Sequence, residues 1–343
     1  MLGDGVTPPG RAVARGGARP VPPRAARVGA GRVPPVDDLR VDREVGGRYD
    51  DRLATLPGGR WASATDLSLT WWSADGPGDW VRSEEALPGP LVWLPAVEEL
   101  AWGPTVVRDG RPAWHVGPIV RAAVGDLGDD AARRFVPTAG AVSPEARFVA
   151  VALRRQLPRT VPSRTPAVPG PESRVAVVDQ KSEERVAVVH EGGTAPTALA
   201  WGVGALFVGL VGTVLEVGQD TFEPVERVLP RMSACRCLAV TRDGRVAAGL
   251  ADGHAVVWFG PVEPTTWPAH DGVITAAAWR PGGGGLATGG ADGMVRLWSH
   301  TGACMAEAGF GTAIDALAWA DEGRLVAKAG GQGGAVLVLS ADS

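Results

Sequence analysis

AHDGVITAAAWRPGGGGLATGGADGMVRLWS, residues 269–299, is the stretch that decides the fold. Residues 273–279 are apolar and rich in β-formers, as in a strand buried on both faces. Arg280-Pro281 and the four glycines at 282–285 end that run. A second short run follows at 286–289. Ala291-Asp292-Gly293 then marks a hairpin, because Asp-Gly accepts the positive φ values that a tight two-residue turn needs. Residues 294–298 alternate between apolar and polar, as a third strand does.

Weaker copies of this pattern recur along the chain. With Trp279 taken as the last residue of a first strand, the matching positions are Thr55, Trp102, Val142, Trp201, Val240, Trp279 and Trp319. Their spacings are 47, 40, 59, 39, 39 and 40. An arginine five residues further on, at Arg60, Arg147, Arg245 and Arg324, opens the second strand. A period near 40 with four short strands per unit is the signature of propeller blades, and seven anchors imply seven blades. The long interval contains residues 154–174, RRQLPRTVPSRTPAVPGPESR, which read as an insertion between the second and third strands of one unit. The last unit supplies strands at 314–319, 324–327 and 335–339 and then ends. Residues 39–45 read as an unpartnered strand before the first unit. Pairing it as the missing outer strand closes the ring and removes the seam between first and last blades.

Residues 269–299 resemble a WD40 repeat. Ala269-His270 stands where that family has Gly-His, and Trp298-Ser299 where it has Trp-Asp. The resemblance covers residues 39–343 loosely and 235–339 well. It implies an all-β, seven-bladed propeller of four-stranded blades, fastened by an N-terminal strand. It also implies a buried hydrogen-bonded tetrad of His270, Thr288, Asp292 and Trp298. The chemistry suits that role: a neutral imidazole has one donor and one acceptor, so Asp292 can fix its tautomer while Thr288 and the Trp298 N–H extend the network. The other units depart from this pattern. Residues 238–258 keep Asp252-Gly253 and Trp258, but Ala248 replaces the hydroxyl and residues 231–234 offer no histidine. Residues 61–72 keep Asp66 and Trp72. Residues 201–217 carry Val211-Gly212 in place of the turn Asp, with His190 ahead of them.

Composition excludes several function classes. The chain has 343 residues with 48 Gly and 29 Pro, two lysines (Lys181, Lys328), three isoleucines and no asparagine, a bias that tracks GC-rich codons. Without asparagine there is no N-glycosylation acceptor. Cys235, Cys237 and Cys304 lack metal-ligand spacing and read as reduced thiols. There is no phosphate-binding loop and no Gly-x-Ser-x-Gly elbow. His115, His190, His254, His270 and His300 are scattered singly, and the carboxylates at 126–130 lack calcium-loop spacing. No apolar run of about 18 residues appears, so no membrane span is expected, and the first residues lack a secretory core segment. The net charge of −4 hides a basic first segment: residues 1–36 carry six Arg and one Asp. They read as a disordered Pro/Gly/Arg-rich tail, with the propeller at 37–343.

Trp102, Trp201, Trp279 and Trp319 recur at one blade position and read as packing residues. Trp80, Trp93, Trp114 and Trp267 fall outside that position, and an exposed one could anchor a partner. The resemblance places binding on the face that carries the second-to-third-strand turns and the links between blades. On this chain that face includes Asp66, Arg231, Leu250, Trp267 and Gly290, with Arg154, Arg155, Arg159 and Arg164 of the insertion. The reading is a monomeric, cytoplasmic, bacterial, non-catalytic scaffold for a protein or peptide partner, without metal, cofactor or membrane. Two other readings stand beside it. One is a propeller enzyme or small-ligand binder with a central-channel site. The other is binding of an anionic partner such as nucleic acid through the basic tail.

Overall fold

Seven four-stranded antiparallel sheets form, each from chain-consecutive strands save one. The computed structural model describes residues 38–46, 52–56, 60–65, 67–73, 76–84, 86–88, 91–94, 97–108, 111–112, 116–125, 134–156, 172–330 and 335–342. The basic segment 1–36, Asp66, Trp114 and most of the Pro/Arg-rich insertion lie outside those residues. The first strands of successive blades pack side by side through blades 3 to 7, and the first strand of blade 7 meets that of blade 1. The sheets therefore close into a ring with the first strands innermost.

Blade 6 shows how the sequence produces a blade. Its strands are Ile274–Trp279, Leu286–Gly290, Met294–Trp298 and Cys304–Gly309. Gly293 turns the second into the third strand at φ 76°, the left-handed value that Asp-Gly supplies. Val295 and Leu297 are buried and the residues between them only half so, giving the period of two seen in the sequence. Gly289 has a packing reason: a Cβ there would lie 2.5 Å from Ile314 Cγ2 in the next blade. Gly249 and Gly209 repeat that close approach against Ile274 and Cys235. In blade 7 this register position holds Lys328, which pairs with Ala316 as Gly289 pairs with Ala276, and is fully buried.

The ring is fastened by chain ends. Blade 7 consists of Ile314–Trp319, Arg324–Ala329 and Ala335–Asp342, and its fourth strand is Asp38–Gly46. The register runs antiparallel from Asp38 opposite Asp342 to Gly46 opposite Ala335, with a bulge between Val41 and Arg43. Adjacent blades are further joined by indoles. Trp201, Trp279 and Trp319 donate from Nε1 to the carbonyls of Ala141, Ala239 and Ala278 in the preceding first strands, at 3.0, 3.1 and 3.1 Å.

Blade 2 corrects the repeat count in one register. Its strands are Leu91–Leu94, Glu99–Trp102, Thr105–Arg108 and Arg111–Pro112, so Trp102 ends a second strand, not a first. Trp93 holds the anchor position, because it pairs with Leu100 as Trp279 pairs with Leu286. Two similar runs, Leu-Val-Trp at 91–93 and Leu-Ala-Trp at 100–102, compete for one anchor in the sequence, and Glu99 stands where other blades place arginine. Trp102 is fully buried and donates to the Thr65 carbonyl of blade 1 at 2.8 Å.

A helix, Val116–Val124, lies between blades 2 and 3 and was not foreseen. Ile119 and Ala123, four apart on one face, are buried with Val124 against blade 3. Gly125 ends the helix at φ 47°. Nine residues that include Gly117 and Pro118 in the first turn are too few for a clear helical period, which is why it escapes a sequence reading.

Blade 3 carries the insertion. Its second strand, Phe148–Arg155, pairs directly with the third, Ser173–Asp179, down to Arg154 opposite Ser173. The insertion therefore departs from a second-to-third-strand turn. Its expected bounds narrow, because Arg154, Arg155 and Arg174 belong to strands. Arg174 is buried: Nη1 donates to the Val124 carbonyl at 2.7 Å and the Ala123 carbonyl at 3.3 Å, and Nε donates to Glu191 at 2.6 Å. A guanidinium at a helix C-terminus satisfies carbonyls with no helical partner.

Candidate interaction faces

The ring has two faces, fixed by strand direction. Each first strand runs away from the interblade links and ends at the first-to-second-strand turn. The link face therefore gathers the links and the second-to-third turns, and the opposite face gathers the other turns.

On the link face of blade 6, four side chains form one directional hydrogen-bond chain. Trp298 Nε1 donates to Thr288 Oγ1 at 2.7 Å, and Thr288 Oγ1 lies 2.7 Å from His270 Nε2. His270 Nδ1 lies 2.9 Å from Asp292 Oδ1. Thr288 accepts from the indole, so its own proton goes to Nε2, and the neutral imidazole carries its proton on Nδ1 toward Asp292. Burial lowers the pKa of His270 and outweighs the Asp292 carboxylate that would raise it. Burial alone would raise Asp292, but hydrogen bonds from His270, the Met294 N–H and Arg296 hold it at about 2. Arg296 Nη1 also reaches the Ala269 carbonyl at 2.9 Å, tying the third strand to the link before the blade. His270 and Thr288 are buried, and both ring nitrogens of His270, the Thr288 hydroxyl and the Trp298 N–H are all engaged. The cluster is built to hold a blade together.

Other blades keep parts of this arrangement. In blade 1, Trp72 Nε1 donates to Ser63 Oγ at 2.6 Å, and Ser63 pairs with Thr70 as Thr288 pairs with Arg296. Ser63 went unnoticed in the sequence because its unit lacks the Asp-Gly turn. In blade 5, Asp252 is engaged by Arg231 and by the His254 that follows it, not by a histidine of the preceding link, and Trp258 has no hydroxyl partner.

Several residues expected on the binding face are not surface groups. Leu250 ends the second strand of blade 5 and is fully buried there. Trp267 is buried with its ring 5.8 Å from that of Trp298, and Gly302 packs on it so closely that a Cβ would meet it at 2.9 Å. Gly290 is buried, and a Cβ there would lie 2.4 Å from His270 Nδ1, so its small size serves the tetrad. Arg155 stacks on Phe135 with its guanidinium 5.7 Å from the ring centre. Arg154 and Arg231 are exposed, while Asp66, Arg159 and Arg164 lie outside the described residues. Among the other tryptophans, Trp80 is exposed on an outer strand. Trp71 and Trp72 line a cleft of about 520 Å³ with Trp61 and Trp93.

An apolar cluster at the junction of blades 4 and 5 was missed. Val211, Val228 and Met232 are 44, 72 and 85 % exposed. The backbone holds them together: Gly212 N–H donates to the Ser233 carbonyl and Leu229 N–H to the Gly212 carbonyl, both at 2.9 Å. Gly212, at φ 73°, leaves only 2.8 Å between a notional Cβ and Met232 Sδ. The Arg231–Asp252 ion pair borders this cluster. The one signal in the sequence was Val211-Gly212 in place of a turn Asp.

The two blade-5 thiols are packing groups. Burial pushes Cys235 well above the usual thiol range and Cys237 to about 12. Such thiols stay protonated and unreactive at neutral pH. Among the described residues, no group of three or more metal-ligating side chains occurs and no helix is long and apolar enough to cross a membrane.

Residues 262–299 match the WD40 family, described as WD domain, G-beta repeat. The match spans the fourth strand of blade 5 and the first three of blade 6, so the sequence repeat is offset from the blade by one strand. That same offset leaves blade 7 short of a strand for the N-terminal segment to supply. No curated protein sequence matches the chain. Among solved structures, the chain is similar to the β-propeller domain of Myceliophteria thermophila Cps50 (Swd1). The TM-score is 0.66 at 13% identity, over 88% of this chain and 99% of that one. At that identity the likeness concerns the fold. The chain carries a WD40 repeat within a seven-bladed β-propeller closed by its own N-terminal strand.

Proposed function

We propose that this propeller is a non-catalytic scaffold that binds a protein or peptide partner on its link face, at the junction of blades 4 and 5. The observation that carries this reading is the exposed cluster of Val211, Val228 and Met232, fixed by backbone hydrogen bonds and bordered by Arg231 and Asp252. An apolar centre with a charged rim is the layout of a binding hot spot. Little ordering is needed on association, because the loops are already held by the backbone. Arg231 contributes a rim contact, and the exposed Arg154 of blade 3 lies outside this patch. The working unit is a monomeric propeller at 37–343 in the cytoplasm, with 1–36 as an appended basic tail.

The test compares proteins retained from a native lysate by the wild-type chain and by Met232→Asp combined with Val228→Asp. Both substitutions are at exposed positions, so the melting temperature should stay within about 2 °C. Loss of the retained partner at unchanged melting temperature is the expected result. Identical retention by both proteins would refute this location.

A further inference from the structure

We infer that the channel mouth on the opposite face is a binding site for an apolar molecule bearing one carboxylate. A cavity of about 550 Å³ lies where the first strands of blades 2 to 6 end. That size falls within the roughly 300–1,000 Å³ of pockets that enclose drug-sized ligands. Its walls are mainly alanine, valine and leucine, with the indoles of Trp93, Trp201 and Trp279. The N–H groups of Trp201 and Trp279 are already committed to the Ala141 and Ala239 carbonyls. These indoles therefore offer apolar surface and no spare donor.

Two charged residues belong to the lining, Glu145 and Arg242. Glu145 Oε2 accepts from Gln219 Nε2 at 3.3 Å. Arg242 is exposed at the turn that ends the first strand of blade 5, and it makes no hydrogen bond or ion pair among the described residues. The acid beside it is already engaged: Asp243 accepts from Thr241 and from Arg245 Nε, the latter at 3.1 Å. Glu145 keeps its negative charge, because its partner is a neutral amide; among the described residues the one cation on this lining is the Arg242 guanidinium, whose planar fork matches a carboxylate. An apolar body in the channel with its carboxylate on Arg242 uses both features. A ligand with several negative charges would find no second uncommitted cation on the lining. This site lies on the face away from Met232, so it stands or falls independently of the partner surface.

Dodecanoate, below its micelle-forming concentration, is the probe, with dodecan-1-ol as its neutral counterpart. Titration of the full chain by calorimetry and tryptophan fluorescence should show saturable binding of one dodecanoate per chain. Arg242→Ala should weaken dodecanoate about tenfold and leave dodecanol unchanged, the loss of one charge-assisted hydrogen-bonded contact. Arg242→Lys should retain part of that affinity. Ala200→Leu, which narrows the cavity at a lining position, should weaken both probes at an unchanged melting temperature. The inference is overturned if wild type shows no saturable binding. It is also overturned if Arg242→Ala and Ala200→Leu, both folded, bind dodecanoate as wild type does.

Discussion

Ala248 stands in blade 5 where Thr288 stands in blade 6, and the Trp258 Nε1–H that would meet a hydroxyl there is buried without a partner. The two tryptophans occupy one register position: Trp258 pairs with Val246 and Trp298 with Leu286. The repeat has kept the indole for its volume in one blade and for its hydrogen bond as well in the other. Replacing each by phenylalanine removes similar apolar area, so the difference between the two isolates the hydrogen bond. Trp298→Phe should cost about 1–3 kcal/mol more than Trp258→Phe, because it also leaves the buried Thr288 hydroxyl oxygen without its donor. Equal urea-unfolding midpoints for the two variants would contradict this assignment.

How far the fold was legible follows from the same residues. Blades 4, 6 and 7 announce themselves because Trp201, Trp279 and Trp319 do one job, donating to the blade before, and selection for that job leaves a regular mark. Blade 2 is obscured because Trp93 and Trp102 both follow a leucine two residues back, while only their pairing partners tell them apart. Arg174 reads as one more arginine of a proline-rich loop, yet it is the cation on which the helix ends. The surface was the least legible part. Leu250 and Trp267 look like contact residues by position and are core, whereas Val211 and Met232 look like core by composition and are exposed. Periodicity reports which face of a strand a residue takes, not whether a loop turns that residue outward.

The closing strand should control the whole ring. Asp38–Gly46 is the outer strand of blade 7 and makes its register over the full length of Ala335–Asp342. Deleting residues 38–46 uncovers that strand edge and the buried Leu39 contact with Leu337 and Leu339 in the same core cluster. The expected outcome is a loss of several kcal/mol, about the scale of one blade's outer ladder, with increased self-association through the new edge. An unchanged unfolding midpoint in a monomeric truncated chain would mean that the ring does not depend on this strand.

The tetrad should make stability fall toward acid in two stages. His270 has a folded-state pKa below its ordinary value, mainly because burial penalises the imidazolium. The folded chain then binds fewer protons than the unfolded one below about pH 6.5, so stability declines as pH drops through that value. Asp292 is held at about 2. Its contribution is complete above its unfolded pKa of about 3.9 and is lost as pH falls from there through about 2. His270→Gln should flatten the first stage, and Asp292→Asn the second, when urea midpoints are plotted against pH. Superimposable pH slopes for His270→Gln and wild type between pH 7 and 5 would contradict the buried neutral imidazole.

Arg174 should be the most sensitive arginine described. Its guanidinium is buried between the last carbonyls of the helix and Glu191, whose side chain is 42% exposed. Arg174→Ala leaves the Ala123 and Val124 carbonyls without that donor and opens a gap between helix and sheet. We expect a cost of about 3 kcal/mol, in the range for removing one partner from a buried charged network. Arg174→Lys should recover less than half of the loss, since one ammonium cannot reproduce the fork that spans two carbonyls and a carboxylate. Glu191→Gln is the control. Because Glu191 is partly in water, that change should cost under about 1 kcal/mol. If Glu191→Gln proves as damaging as Arg174→Ala, the ion pair and not the helix terminus is what holds Arg174 in place. Amide hydrogen exchange over residues 116–125 separates the two cases, because only loss of the carbonyl contacts should speed exchange along the helix.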